Sequence, residues 1–247
     1  LVAHIAQDMI GMHHDAVALK RQSYGFIGSG NRKACLPDRN IAAQQIGQMG
    51  NGAAGFLGRV GQAVACFVGG DRVIFRRCRF LGNQDTLYNF GKHSRQYFED
   101  CYIEGTVDFI FGSSTAVFNR CVIHSLGRGY LTAPSTPQDV PYGYVFVDCR
   151  LTAADGVEKV YLGRPWRLYG KSVFIRCEMG SHILPVGWHN WKKPESEKTC
   201  FFAEYKNTGP GAASKKERVA FSHQLKNLKD YSIEKILAGT DGWSPND

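Results

Sequence analysis

Gln62, Asp85 and Asp108 stand 23 residues apart twice over (85 − 62 = 23 and 108 − 85 = 23). Two carboxylates held about 5 Å apart cannot both ionise cheaply. One keeps its proton while the other stays charged, and the pair titrates as a unit. Such a pair supplies an acid and a nucleophile or base at a single pH. Gln84, beside Asp85, and Gln62 add amide donors, while Leu87, Tyr88, Phe109 and Phe111 would exclude water from the acids. The plainer reading is that each Asp caps a turn through a side-chain to backbone hydrogen bond. The shared spacing, the apolar flanks and the nearby amides together favour chemistry.

A third segment, Tyr161-Leu-Gly-Arg-Pro-Trp166, offers a cation and a flat ring. Arg164 touching one Asp would lower that carboxyl's pKa and decide which member of the pair is ionised. Trp166 presents an apolar face on which a sugar ring can stack. Taken alone, the segment reads equally well as a turn with an Arg packed on an aromatic.

The elements that must carry these side chains repeat. An aromatic or aliphatic run ending in cysteine recurs at Val73–Cys78, Tyr97–Cys101, Val117–Cys121, Val145–Cys149 and Val173–Cys177, with Cys spacings of 23, 20, 28 and 28. Asp85 and Asp108 each lie seven residues past such a cysteine. Short strands rich in Val, Ile, Phe and Tyr, separated by Gly, Asn, Asp and Pro turns, fill residues 61–205. A period in the twenties with several strands per repeat predicts an all-β, right-handed parallel β-helix. A propeller needs a longer period, and a sandwich gives no reason for cysteines in one phase. Stacked coils would set the two acids about 4.8 Å apart.

The chain of 247 residues reads as a single domain. Residues 55–205 form the coils, and 206–247 carry loops and short helices, with Leu225–Ala238 the helical stretch before the stop signal Gly239. Residues 1–54 are rich in Gly, Ala, Gln and His and show only weak strand signals. Formal charge is +8, from 30 basic and 22 acidic residues, and the pI is about 9.1. That balance suits an acidic partner such as a polyanionic polysaccharide, and the charges are scattered rather than gathered in a tail. No apolar run approaches the ~18 residues of a membrane span. No secretory signal is visible in a chain that starts at Leu1. Five of the eight cysteines share one slot of the repeat. They read as a ladder of small buried thiols, although neighbouring rungs also permit a bridge such as Cys101–Cys121.

Other patterns carry little. Gly50-x-Gly52-x-x-Gly55 lacks the preceding strand and following helix of a dinucleotide site. Ser232-x-x-Lys235 falls in a surface helix. The histidines and cysteines show no zinc-ligand spacing, and no Gly-x-Ser-x-Gly elbow exists.

Gly61-Gln-Ala-Val-Ala65, Gly82-Asn-Gln-Asp-Thr-Leu-Tyr88, Gly105-Thr-Val-Asp-Phe-Ile-Phe-Gly112, Leu162-Gly-Arg-Pro-Trp166, Gly187-Trp188, Glu204–Gly211 and Gly242-Trp243 resemble, in order, the pectin methylesterases. The resemblance covers roughly residues 55–245; the family's first coils are not recognisable in residues 1–54. It implies a right-handed parallel β-helix and ester hydrolysis by two aspartates without a metal or other cofactor. Asp108 would be the nucleophile and Asp85 the proton donor and base. Gln84 and Gln62 would steady the oxyanion, and Arg164 would orient Asp108. Trp166, Tyr88, Phe111 and Trp188 would line the sugar subsites. The implied setting is extracellular, in the cell wall. The implied protein is a monomer acting on methyl-esterified pectin, with no nucleic-acid or membrane partner and, for a plant source, a proteinaceous inhibitor as a candidate partner. The rival readings are a pectate lyase-like β-eliminase and a non-catalytic pectin-binding β-helix. A nucleic-acid binder has only the net charge behind it.

Overall fold

The computed structural model describes residues 62–246 together with the backbone of two earlier strands, Gly25–Ile27 and Asn40–Ala42. Every pairing between these strands is parallel. One sheet runs through Gly25–Ile27, Cys66–Val68, Leu87–Asn89, Tyr102–Gly112, Val122–Pro134, Arg150–Ala153 and Glu178–Met179, with Asn40–Ala42, Arg79–Leu81 and Val160–Gly163 joining at its sides. A second runs through Val73–Arg76, Arg95–Glu99, Thr115–Asn119, Tyr144–Val147, Lys171–Ile175, Phe201–Tyr205 and His223–Gln224. The chain alternates between the two sheets, so each pass adds one coil to a right-handed parallel β-helix, the hand that parallel crossovers take. The strands at 25–27 and 40–42 pair with Cys66–Val68 and Arg79–Leu81. The solenoid therefore begins before residue 55, where the sequence reading starts its coils.

Same-phase residues stack along the interior. Phe75, Phe98, Phe118, Phe146 and Phe174 form one column, with successive ring centroids 5.0, 4.7, 4.6 and 4.3 Å apart and planes within 14° of parallel. The repeated cysteines form a second column. The thiols of Cys101, Cys121, Cys149 and Cys177 each approach the carbonyl of the column phenylalanine one coil earlier, at 3.6, 3.5, 3.3 and 3.7 Å. All seven described cysteines are buried, and Cys101 and Cys121 are free thiols with no bridge between them.

Five coils turn at the residue before the repeated cysteine, which lies in the left-handed region: Arg77, Asp100, Arg120, Asp148 and Arg176; Lys206, before Asn207, takes the same place one coil later, and φ lies between 48° and 54° throughout. Signs alternate along most of this corner. Arg120 pairs with Asp100 and Arg176 with Asp148, at 2.9 and 2.7 Å.

The predicted C-terminal helical stretch yields one short helix, Ile233–Leu237, capped by Ser232. Leu225, Leu228, Tyr231, Ile233, Ile236, Leu237 and Trp243 cover the outer face of the second sheet, packing on Ile74, Tyr97, Val117, Val145 and Val173. Arg95 ties this strap down. It pairs with Asp71 and Asp241 and donates to the carbonyls of Leu237 and Ala238 at 3.1 and 3.0 Å. No helix among the described residues is long and apolar enough to cross a membrane.

Candidate active site

Asp85 sits in the turn between Arg79–Leu81 and Leu87–Asn89, and Asp108 within the strand Tyr102–Gly112. The register runs Leu87↔Ile110 and Tyr88↔Phe111, an offset of 23 that sets Asp85 against Asp108. The Asp85 amide donates to the Val107 carbonyl at 3.1 Å, and the Thr106 amide to that of Asn83 at 3.0 Å. Gly105 permits this contact, since a Cβ there would stand 2.5 Å from the Asn83 carbonyl oxygen and 2.3 Å from Cβ of Phe109. The register between Cys66–Val68 and Leu87–Asn89 is 21 instead, Cys66 lying against Leu87. The equal spacing of Gln62 from Asp85 is therefore not a coil register. Gln62 is exposed and Gln84 half-buried, their segments joined by a 3.2 Å bond from the Ala63 amide to the Gln84 carbonyl.

Arg164 follows the strand Val160–Gly163, and its own amide donates to Thr132 at 3.0 Å. Its Nε and Nη2 grip the two oxygens of Asp108 at 2.9 and 2.6 Å. Tyr130 and Trp191 cover the guanidinium, with their ring centroids 3.9 and 3.6 Å away. Planar, two-point recognition of this kind is what arginine provides and lysine does not.

Both acids are 1% exposed. Asp108 has the guanidinium on both oxygens, whereas neither carboxyl oxygen of Asp85 has a hydrogen-bond partner among the described residues. Burial, reinforced by the Asp108 charge and opposed by Arg164, pushes Asp85 up to about 8. Burial raises Asp108 as well, and Arg164 offsets part of that rise through hydrogen bonds and charge. The two-point grip of Arg164 favours the charge on Asp108, and the unpartnered oxygens of Asp85 favour the proton there.

Tyr88 and Phe111 point away from the interior, since their neighbours Leu87 and Ile110 point into it. Their rings stack at 4.4 Å and 9°, with Trp166 tilted against both at 6.3 and 5.9 Å. Phe67 and Ala133 complete the cluster, and Val64, Phe90 and Trp191 pack on it. Trp188 does not belong there. Its indole stacks on Phe202 at 4.4 Å and packs within the interior cluster, whereas Tyr88 and Phe111, just as buried, belong to the outward one, so Trp188 is a core residue and lines no sugar subsite. The outward indole is Trp191, three residues on, which the sequence reading missed along with Tyr130. No spacing rule distinguishes the two tryptophans of Gly187-Trp-His-Asn-Trp191, because Trp188 bridges to Gly163 while Trp191 stands in the turn that follows.

The geometry thus brings Asp85, Asp108, Arg164, Tyr88, Phe111 and Trp166 into one region. An ionised carboxylate, an adjoining protonated one and an apolar wall can perform acyl transfer with the proton held locally.

The pectinesterase family model matches residues 37–239. That match begins inside the stretch where the sequence alone offered no alignment. Pectinesterase 31 of Arabidopsis thaliana is 48% identical over 166 residues, covering 67% of this chain and 51% of its own. The chain spans about half the length of the curated relatives it matches. Among solved structures, pectin methylesterase from carrot superposes with a TM-score of 0.68 at 33% identity, over 73% of this chain and 61% of the carrot protein. A pectin methylesterase in complex with a hexasaccharide gives 0.64 at 35%, over 76% and 63%. With a model match over most of its length and solved relatives that share its coil, the chain belongs to the pectinesterase family.

Proposed function

We propose that this chain hydrolyses the methyl esters of galacturonate units in pectin, leaving pectate and releasing methanol. The observation that carries the reading is the asymmetric pair, Asp108 fixed and charged by Arg164 beside a buried Asp85 that holds the proton. The hexasaccharide-bound relative supports an oligosaccharide as the class of ligand.

In the first half-reaction a carboxylate oxygen of Asp108 attacks the C6 ester carbonyl. The carbonyl electron pair moves onto oxygen, where the amides of Gln84 and Gln62 would receive it. One such donor is worth about 3 kcal/mol of barrier in other oxyanion holes. The tetrahedral adduct expels the methoxy group, which takes the Asp85 proton and leaves as methanol. Asp85, now ionised, removes a proton from water, and the hydroxide splits the acyl-aspartate. Galacturonate leaves as its carboxylic acid, Asp108 regains its charge, and Asp85 again holds a proton. One ester and one water become one acid and one methanol.

Tyr88, Phe111 and Trp166 would wall the sugar groove, and Trp188, packed inside the coil, drops out of it. The polymer locates the enzyme in the extracellular cell wall, acting as a monomer. In a plant, a proteinaceous inhibitor would be a candidate partner, as the name of one relative, a pectinesterase/pectinesterase inhibitor, suggests. Highly esterified pectin incubated with the chain in EDTA should release methanol, and Asp108→Asn should abolish release while leaving the circular dichroism unchanged. Unsaturated, ultraviolet-absorbing products that need calcium would replace this reading with β-elimination. Pectin binding with no methanol would replace it with a non-catalytic module.

A further inference from the structure

Arg164 controls which acid is charged, and what controls Arg164 lies outside the pair of carboxylates. Its Nε and Nη2 are committed to Asp108, which fixes the guanidinium within its own plane. That plane is fixed against tilting from its two faces. Tyr130 approaches within 3.9 Å, from the strand Val122–Pro134, where it stacks on Tyr161 at 5.0 Å and 13°. Trp191 approaches within 3.6 Å, from a loop. One ring stands on the sheet and the other hangs over it.

The loop that carries Trp191 is built for that position. Trp191 and Lys192 are consecutive non-glycine residues in the left-handed region, φ 57° and 55°. Runs of this kind are unfavourable for L residues and persist where surrounding contacts hold them. Here the Trp191 amide donates to Nδ1 of His189 at 2.9 Å. The His189 amide in turn donates to the carbonyl of Gly163, the residue before Arg164, at 3.1 Å. The turn is therefore tethered to the strand end that delivers the arginine. Burial, with Arg164 and Lys192 nearby, lowers the His189 pKa, which keeps Nδ1 free to accept. The charged and titratable groups around the guanidinium are Asp108, Asp85, Tyr130, His189, Lys192 and Lys193.

We infer that Trp191 is a positioning residue whose indole clamps the Arg164 guanidinium against Tyr130 and so keeps Asp108 ionised and aimed. The inference rests on the proposed function for its catalytic meaning, but the clamp itself is a property of the free protein. A face-on aromatic attracts the cation and holds its plane. Without it the long arginine side chain regains rotamer freedom, and its two-point grip loosens.

The test reads Asp108 directly, by the carboxyl signal that Asp108→Asn removes from the carbon-13 NMR or infrared titration of the full chain without substrate. Trp191→Ala should raise the Asp108 midpoint by about one unit, the equivalent of a tenfold change in ionisation. Trp191→Phe, which keeps a ring face, should restore it to within about 0.3 unit of wild type. On pectin, the alanine variant should lose about tenfold in kcat with its acid limb displaced upward, beyond any change in KM. Tyr130→Ala removes the opposite ring and gives the same readout should Trp191→Ala not fold. An unmoved Asp108 midpoint in the folded alanine variant, or equal shifts for alanine and phenylalanine, overturns the clamp. A wild-type chain that releases no methanol yet shows the shift and its rescue overturns the proposed function alone and leaves the clamp standing.

Discussion

Asp85 and Asp108 adopt the same left-handed backbone conformation, φ 64° and 52°, on adjoining coils paired in register. Asp tolerates this region better than most residues, because its short polar side chain can bond locally. The bend within Tyr102–Gly112 puts Asp108 beside Arg164, while its neighbour Phe109 packs into the interior. The two acids nonetheless have different duties. Asp85→Asn should leave Asp108 able to attack but remove both the proton for methanol and the base for water. A fall of about 10²–10⁴ in kcat is expected, the usual range for a general acid–base group. Steady-state methanol release checks it, and a variant within twofold of wild type would remove Asp85 from the reaction.

Activity should be bell-shaped in pH. As the solution is made acid, Asp108 takes up a proton and ceases to be a nucleophile. As pH rises through about 8, Asp85 loses the proton that methanol needs. The kcat/KM profile on a fully esterified, uncharged substrate separates this from attraction of a charged polymer. Rates that stay flat from pH 4 to pH 9 contradict the division of labour.

Asp85 also makes the fold lose stability as pH rises from acid to about 8. Its carboxyl titrates near its ordinary value of 3.8 when unfolded and at about 8 when buried. Between those values the native state binds the extra proton, so stability falls as pH rises through this window. Asp85→Asn keeps the shape without the titration. The variant should therefore gain a few kcal/mol over wild type at pH 8, and much less at pH 4. Thermal unfolding at the two pH values measures the difference, and a gain independent of pH would assign it to something other than the buried charge.

Arg95 joins Asp71 near the first described coils to Asp241 near the end of the chain, 146 residues beyond the arginine. Arg95→Ala breaks both pairs and frees the carbonyls of Leu237 and Ala238. A loss of about 2–4 kcal/mol is expected for a mostly buried, multiply bonded charge. Limited proteolysis should then cut after residue 225 before the coils open. Cleavage there at the wild-type rate would show that the apolar contacts alone hold the strap.

Phe146 lies between Phe118 and Phe174 in the interior column, fully buried. Phe146→Ala should cost about 3–5 kcal/mol, because stacked coils cannot close the hole. Denaturant titration reads the loss, and a cost under 1 kcal/mol would mean that the coils relax into the gap. The cysteines beside the column should react with thiol reagents only as the chain unfolds.

Much of the coil was legible because stacking makes phase visible. Cys78, Cys101, Cys121, Cys149 and Cys177 repeat in one slot because that slot always faces inward, and Asp85 and Asp108 share a true register of 23. The same arithmetic misled at Gln62, where the neighbouring register is 21. Trp188 and Trp191 could not be sorted by spacing, since the left-handed Trp191–Lys192 turn decides which indole is outside. Tyr130 gave no signal either, because its partner Arg164 comes from another coil, 34 residues later (164 − 130 = 34). Pairwise contacts between coils of unequal length leave no period to read.

The corner of left-handed residues, Arg77, Asp100, Arg120, Asp148 and Arg176, has a bearing on assembly. Were one turn of the spiral skipped while the chain wound up, arginine would meet arginine, or aspartate would meet aspartate, at that point of the edge. Such mismatches repel, whereas the uniform phenylalanine and cysteine columns accept any neighbour equally. The alternation of sign would thus bias, weakly, each winding toward the one that precedes it.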